Sequence, residues 1–321
     1  MITSVPAPTG HRRRSSGFRA LWTAFAALGV LLAACGSPSP PPGTDPVPPR
    51  TTGYLPVDGI DVYYEVHGAA REDRAPLVML HGGLVAIDMS FGAMIPRLAE
   101  DRQVIAIEQQ GHGHTADRGG PLSYDRMTAD TAAVLRHLGV GRADVFGYSM
   151  GGVTALKLGI QHPDLVRKLV IASAAFDSAG YYPGVLDGIA AMSPDDFAGS
   201  GLPETYASVA PDPAAWTGLV EKVKQLDLQF QGVPPEQIAS ITAASLVIVG
   251  DSDDVAISHA ARLFELLGGG TPGDHKGLPD DQLTVLPATG HLGVITERGD
   301  AVVSTMTAFL DGPTPAARPG G

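Results

Sequence analysis

Val145-Phe146-Gly147-Tyr148-Ser149-Met150-Gly151-Gly152 is the stretch that decides the fold. The apolar run ending at Gly147 reads as a buried strand, and the residues after Ser149 read as the start of a helix. A serine between glycines at a strand-to-helix junction makes a sharp bend that holds its hydroxyl clear of the sheet. Glycines suit this bend because neighbouring strand and helix come too close for side chains. The helix N-terminus favours negative charge developing beside it, and the Met150 amide points to the same place. Ser149 is therefore the candidate nucleophile, and Met150 a candidate backbone donor to an oxyanion.

Outward from this bend the pattern is regular. Strand-like runs at 54–57 and 60–66 are joined by Asp58-Gly59, a two-residue hairpin signal. Short apolar runs follow at 77–80, 104–107, 144–146, 168–172, 246–249 and 283–286, without the alternation of half-exposed strands. Helical segments are expected at about 88–100, 124–138, 150–161, 258–267 and 299–310. Strand–helix alternation implies an α/β protein with an eight-stranded, mostly parallel sheet flanked by helices. From about 176 to 241 the rhythm breaks into mixed, partly helical chain. This stretch is expected to form a helical cap between strands six and seven.

A serine hydroxyl is a weak nucleophile without a base. On a sheet of this kind the acid and then the histidine follow the serine in the chain. His291 is the last of ten histidines and sits just after the final strand-like run. It is the candidate base. The acid is expected after the seventh run, where Asp251, Asp253 and Asp254 are candidates; Asp177, after the sixth, is a further one. A second oxyanion donor belongs in the loop Leu80-His81-Gly82-Gly83-Leu84, with Gly83 favoured and Leu84 an alternative. His81 reads as a loop brace. His112-x-His114 has the spacing of a metal pair, but nothing nearby completes a site. No metal and no cofactor is expected.

The pieces LHGGL (80–84), QGHGHT (110–115), GYSMGG (147–152), GDSDD (250–254) and TGH (289–291) together resemble the α/β-hydrolase superfamily. The resemblance covers nearly all of residues 54–311. It implies a triad of Ser149, Asp253 and His291, with backbone donors at Gly83 and Met150; Asp253 matches the acid three residues after a glycine. There is one departure. Relatives usually carry Asp-x-Arg-Gly-His-Gly where this chain has Glu108-Gln109-Gln110-Gly111-His112-Gly113. A serine at 149 also sets the chain apart from haloalkane dehalogenases and epoxide hydrolases, which need a carboxylate nucleophile there. The activity implied is hydrolysis of esters of small to medium apolar substrates through an acyl-enzyme. Carbon–carbon bond hydrolysis or lactone opening, cofactor-free haloperoxidation or perhydrolysis, and a non-catalytic receptor are the alternatives. Tyr181, Tyr182, Phe197, Tyr206, Trp216 and Phe230 are candidate pocket lining.

The chain has 321 residues, with 22 basic and 34 acidic side chains and a formal net charge of −12. Four of the basic residues are arginines within the first 34 positions, which hold no acid. Without that segment 18 basic residues face 34 acidic ones, a net of −16. So acidic a body has no electrostatic footprint for nucleic acid. Arg12, Arg13, Arg14 and Arg19 precede an apolar run that ends Leu32-Ala33-Ala34-Cys35, the layout of a secretory signal. The ending resembles a bacterial lipobox, so residues 1–34 are expected to be a signal peptide and Cys35 to carry a lipid. Cys35 is the single cysteine, which rules out an intramolecular disulfide. Residues 35–52 read as the lipidated cysteine and a Pro-rich tether, and 312–321 as a disordered tail. The expected location is the outer face of a bacterial cell membrane, held through Cys35.

Overall fold

The computed structural model describes residues 50–313. The predicted signal peptide, Cys35, the tether up to Pro49 and the tail from Thr314 lie outside the described residues.

An eight-stranded sheet runs in the order β1-β2-β4-β3-β5-β6-β7-β8. Its strands are β1 (Arg50–Val57), β2 (Ile60–His67), β3 (Leu77–Leu80), β4 (Val104–Ile107), β5 (Ala143–Tyr148), β6 (Val166–Ala172), β7 (Ala244–Gly250) and β8 (Gln282–Leu286). The pairs β1–β2 and β2–β4 are antiparallel, and all others are parallel. Asp58 and Gly59 turn the hairpin with φ of 43° and 83°, the doubly positive geometry that matches strand twist. β1 starts earlier than composition suggests. Arg50, Thr51 and Thr52, assigned to the tether, pair with His67, Val66 and Glu65.

Strands β3 to β7 are buried along almost their whole length, as their uninterrupted apolar runs require. β8 departs from that expectation, and Val285 is 39% exposed. It is an edge strand with one neighbour, so one flank meets solvent.

The helices are α1 (Ile87–Phe91), α2 (Ile95–Ala99), α3 (Tyr124–His137), α4 (Met150–Gln161), α5 (Val185–Ala191), α6 (Leu202–Val209), α7 (Trp216–Leu228), α8 (Pro235–Ala239), α9 (Ile257–Leu266), α10 (Gly273–Lys276), α11 (Gly293–Thr296) and α12 (Gly299–Asp311). The single helix expected at 88–100 is two. It breaks at Gly92, and Pro96 opens the second piece, where its missing N–H costs nothing. Two apolar cores fill the two faces of the sheet. One gathers α3, α4, α9 and the inner side of the 176–241 segment. The other gathers α1, α2, α11 and α12.

The 176–241 segment is helical and lies over the strand ends, with α5 packed on α7. Its last helix is different. α8 packs against α4 and α9 and buries Ile238, so it belongs to the flanking layer. At the other end of the sheet, Lys168 Nζ donates to the carbonyls of Phe309 and Gly312 at 2.8 Å and of Leu310 at 3.3 Å. A cation is well placed there, at the C-terminus of α12.

Candidate active site

The site forms where β5, β7 and β8 end. Ser149 follows β5 with φ 53° and ψ −118°. That conformation is strained for a side chain, and two features hold it. Its N–H donates to Ala172 O at 2.9 Å. The glycines around it allow a contact no other residue could make: a Cβ at Gly147 would lie 2.1 Å from Gly151 O, and one at Gly151 would lie 2.0 Å from Leu80 O. The close approach expected from the sequence is therefore physical.

His291 comes from the loop after β8. Its Nε2 lies 3.0 Å from Ser149 Oγ, and its Nδ1 lies 2.7 Å from Asp253 Oδ1. Asp253, after β7, is nearly fully buried. Its Oδ1 also accepts from the Val255 amide at 3.2 Å, and Oδ2 accepts from Ser173 Oγ at 2.6 Å and the Gly250 amide at 3.3 Å. Burial pushes this carboxyl up, but the charge of His291 and these hydrogen bonds outweigh it and hold the carboxyl below its usual range. Burial in turn pushes the His291 imidazole down, and Asp253, Asp254 and Asp227 outweigh that and raise it.

The other acid candidates do different things. Asp251 accepts from the Ala288 and Thr289 amides at 2.8 and 3.0 Å and so shapes the loop that presents His291. Asp177 caps a short turn through the Ala179 amide at 2.8 Å. Asp254 is partly buried beside the site without a hydrogen bond to His291, and burial raises its carboxyl.

Among the described residues the amides of Gly83 and Met150 have no acceptor, and both residues line the cavity in front of Ser149. Leu84, the alternative to Gly83, is spoken for: its amide donates to His112 Nε2 at 3.1 Å. Gly83 has a further reason to be glycine, since a Cβ there would sit 2.9 Å from Val223 of α7. His81 braces the loop as expected. Its Nε2 accepts from the Gln109 amide at 3.0 Å while Nδ1 donates to Gly82 O at 2.8 Å. Burial drives His81 down to about 3 and His112 down to about 4, so both rings are neutral acceptors at neutral pH. His114 turns to Glu108 instead of sharing a site with His112. Where relatives carry an arginine, Gln110 links Asp117 to Arg118, which also holds Asp130.

A cavity of about 380 Å³ opens in front of Ser149. Of the six aromatic residues proposed as lining, Tyr182 and Phe197 face it. The other four do not. Trp216 packs between the rings of Phe197 and Tyr206, with centroids 5.6 Å away in each case. Phe230 packs on Tyr124, and Tyr181 forms a backbone bridge with Val255. Most of the wall is aliphatic, from residues such as Val185, Ile189, Met192, Leu202 and Val223. Asp227 also lines it, and the sequence reading missed it. The signal was available: Leu219, Val223 and Asp227 recur at four-residue spacing on one face of α7.

Residues 75–208 match a family described as the alpha/beta hydrolase fold. Among curated proteins the chain is 33% identical over 132 residues to a proline iminopeptidase of Clostridioides difficile, covering 40% of this chain and 45% of that protein. It is 23% identical over 278 residues to the hydrolase YugF of Bacillus subtilis, covering 79% and 96%. The matched stretch thus spans less than half the length of the first of these relatives. Among solved structures, a carboxylesterase study of Nitrososphaera gargenis gives a TM-score of 0.61 at 21% identity, covering 81% of this chain and 98% of that one. These curated relatives are hydrolases.

Proposed function

We propose, for a chain that is an α/β hydrolase by fold, that it hydrolyses esters of small to medium apolar substrates with Ser149 as nucleophile. The observation that carries this reading is the hydrogen-bonded line Ser149 Oγ, His291 and Asp253, aimed into a largely aliphatic cavity. His291 Nε2 takes the hydroxyl proton as Oγ attacks the carbonyl carbon, and the carbonyl π electrons move to oxygen. The amides of Gly83 and Met150 receive that oxyanion, each contributing about 3 kcal/mol. Asp253 fixes the imidazole tautomer and stabilises its cation. The tetrahedral intermediate collapses, His291 gives its proton to the leaving alcohol, and an acyl-Ser149 ester remains. Water then attacks with His291 again as base, releasing acid and free serine. No step calls for a metal or cofactor.

A fluorophosphonate probe tests the nucleophile. Wild type is expected to be labelled stoichiometrically and Ser149→Ala not at all; equal labelling of both would remove Ser149 from the role. A panel of esters, lactones and vinylogous diketones then separates ester cleavage from the other bond types. Labelling without turnover of any of them would favour a receptor.

The reading extends to location. We propose that the mature chain is exported and lipid-anchored at Cys35, on the basic-then-apolar N-terminus and the Leu32-Ala33-Ala34-Cys35 ending. Among the described residues no helix is long and apolar enough to cross a membrane.

A further inference from the structure

Asp227 stands in the last turn of α7, over the cavity. An acid at that end opposes the helix dipole, and aspartate is a poor helix former. Helix stability therefore does not account for it. Its Oδ1 lies 3.5 Å from the Tyr124 hydroxyl, which donates a long hydrogen bond. Its Oδ2 has no protein hydrogen-bond partner among the described residues, and the side chain is half-buried on the cavity wall. Among the described residues no lysine or arginine lines that cavity, and the one cationic group in reach is His291, which Asp253 already holds. Asp254 adds a second carboxylate to the same wall. A partly buried carboxylate with no fixed counter-ion carries a desolvation cost, and that cost falls when a ligand brings the cation.

We propose that Asp227 is a specificity-determining residue that receives a protonated amine on the substrate, remote from the carbonyl that Ser149 attacks. The inference rests on the ester-hydrolase reading of the same cavity. It adds a substrate class: amino-bearing esters are preferred, neutral isosteres are second, and anionic ones are disfavoured by Asp227 and Asp254. The ammonium donates to Oδ2 while Tyr124 keeps Oδ1, and the aliphatic wall covers the chain between amine and carbonyl.

The preference is also set by pH. Burial pushes the Asp227 carboxyl up to about 6, with the His291 charge and the Tyr124 hydrogen bond pulling the other way. The groups facing it are Tyr124 of α3, Tyr181 after β6 and His291 after β8. The two tyrosines are themselves raised by burial and stay neutral. An amine preference is thus present at neutral pH and fades as pH falls through about 6 and Asp227 protonates. Comparing two substrates at each pH cancels the titration of His291.

The experiment compares methyl 6-aminohexanoate, methyl heptanoate and monomethyl pimelate, with shorter homologues of each, in wild type and Asp227→Asn. Wild type should favour the amino ester over its neutral isostere by about tenfold in kcat/KM, as one charge-assisted hydrogen bond provides. Asp227→Asn, which keeps the shape and an acceptor for Tyr124, should bring that ratio to about one. A ratio near one in wild type, or one that survives in Asp227→Asn, overturns the assignment. A second readout does not need turnover: calorimetric binding of hexylamine to the Ser149→Ala protein with and without Asp227→Asn. Binding that depends on Asp227, in an enzyme that cleaves no ester, would keep the amine site and sink the hydrolase reading. Ester cleavage with no Asp227-dependent amine binding would do the reverse.

Discussion

At the scale of single residues, the site concentrates what the rest of the chain avoids. Ser149 holds a positive φ, and Ser173 does too, with φ 52°. A non-glycine residue in that region costs about 1–3 kcal/mol and persists only where its surroundings enforce it. Ser173 gains a 2.6 Å hydrogen bond to Asp253 from that conformation. The charge balance around His291 has a measurable consequence. In the proposed role of base, His291 must be neutral to accept the serine proton, and its partners raise its pKa above the ordinary histidine value of 6.5. Ester cleavage should therefore fall on the acid side with a limb above pH 6.5. In Asp253→Asn that limb should move down and kcat should drop by about 10⁴-fold, as when a triad loses the acid that sets its histidine tautomer. A pH–rate profile of both proteins checks this; an unmoved limb would detach Asp253 from His291. Ser149, Asp253 and His291 were legible in the sequence because each sits at a strand end beside glycines with few uses elsewhere. Ser173 was not: its role comes from a contact 80 residues away, which no local pattern encodes. For Asp227 the sequence offers its place on one face of α7, but not its contact with Tyr124, 103 residues away.

At the scale of elements, legibility followed burial. The runs at 77–80 and 104–107 are the strands β3 and β4, residue for residue, because both faces of each are covered. The run at 283–286 gave the position of β8 but not its exposure, which depends on having one neighbour in the sheet. The 88–100 helix looked continuous because its apolar spacing is; the break at Gly92 depends on local backbone geometry. The cap was legible as a helical interruption, yet its aromatic residues suggested the wrong lining, since they pack on one another and leave the wall to aliphatic side chains. The junction of β5 and α4 allows a sharp test. Gly151→Ala places a Cβ against the backbone of Leu80, which cannot yield, and should destabilise by about 3 kcal/mol. Gly141→Ala, with nothing within 4 Å of the added Cβ, is the control. Urea unfolding midpoints compare them; equal midpoints would mean that the junction is looser than drawn.

At the scale of the whole molecule, the two ends of the described chain leave from one side. Arg50 pairs with His67, His67 with Val104, and Val104 with Leu77, so the chain enters the sheet where the parallel strands begin. Lys168 gathers the carbonyls that close α12 at the same end. Ser149, Asp253 and His291 all follow strand termini at the other end. The anchoring proposal is checked by feeding cells labelled palmitate. The wild-type chain should take it up and Cys35→Ala should not, and a soluble, unlabelled wild-type product would overturn it. From Cys35 to Arg50 an extended chain spans at most about 50 Å. A lipid planted at Cys35 would thus hold the body like a buoy on a short line, keel toward the bilayer and mouth toward open water. A hydrolase moored in that way would graze on what drifts past the cell, with its back to the lipids that hold it.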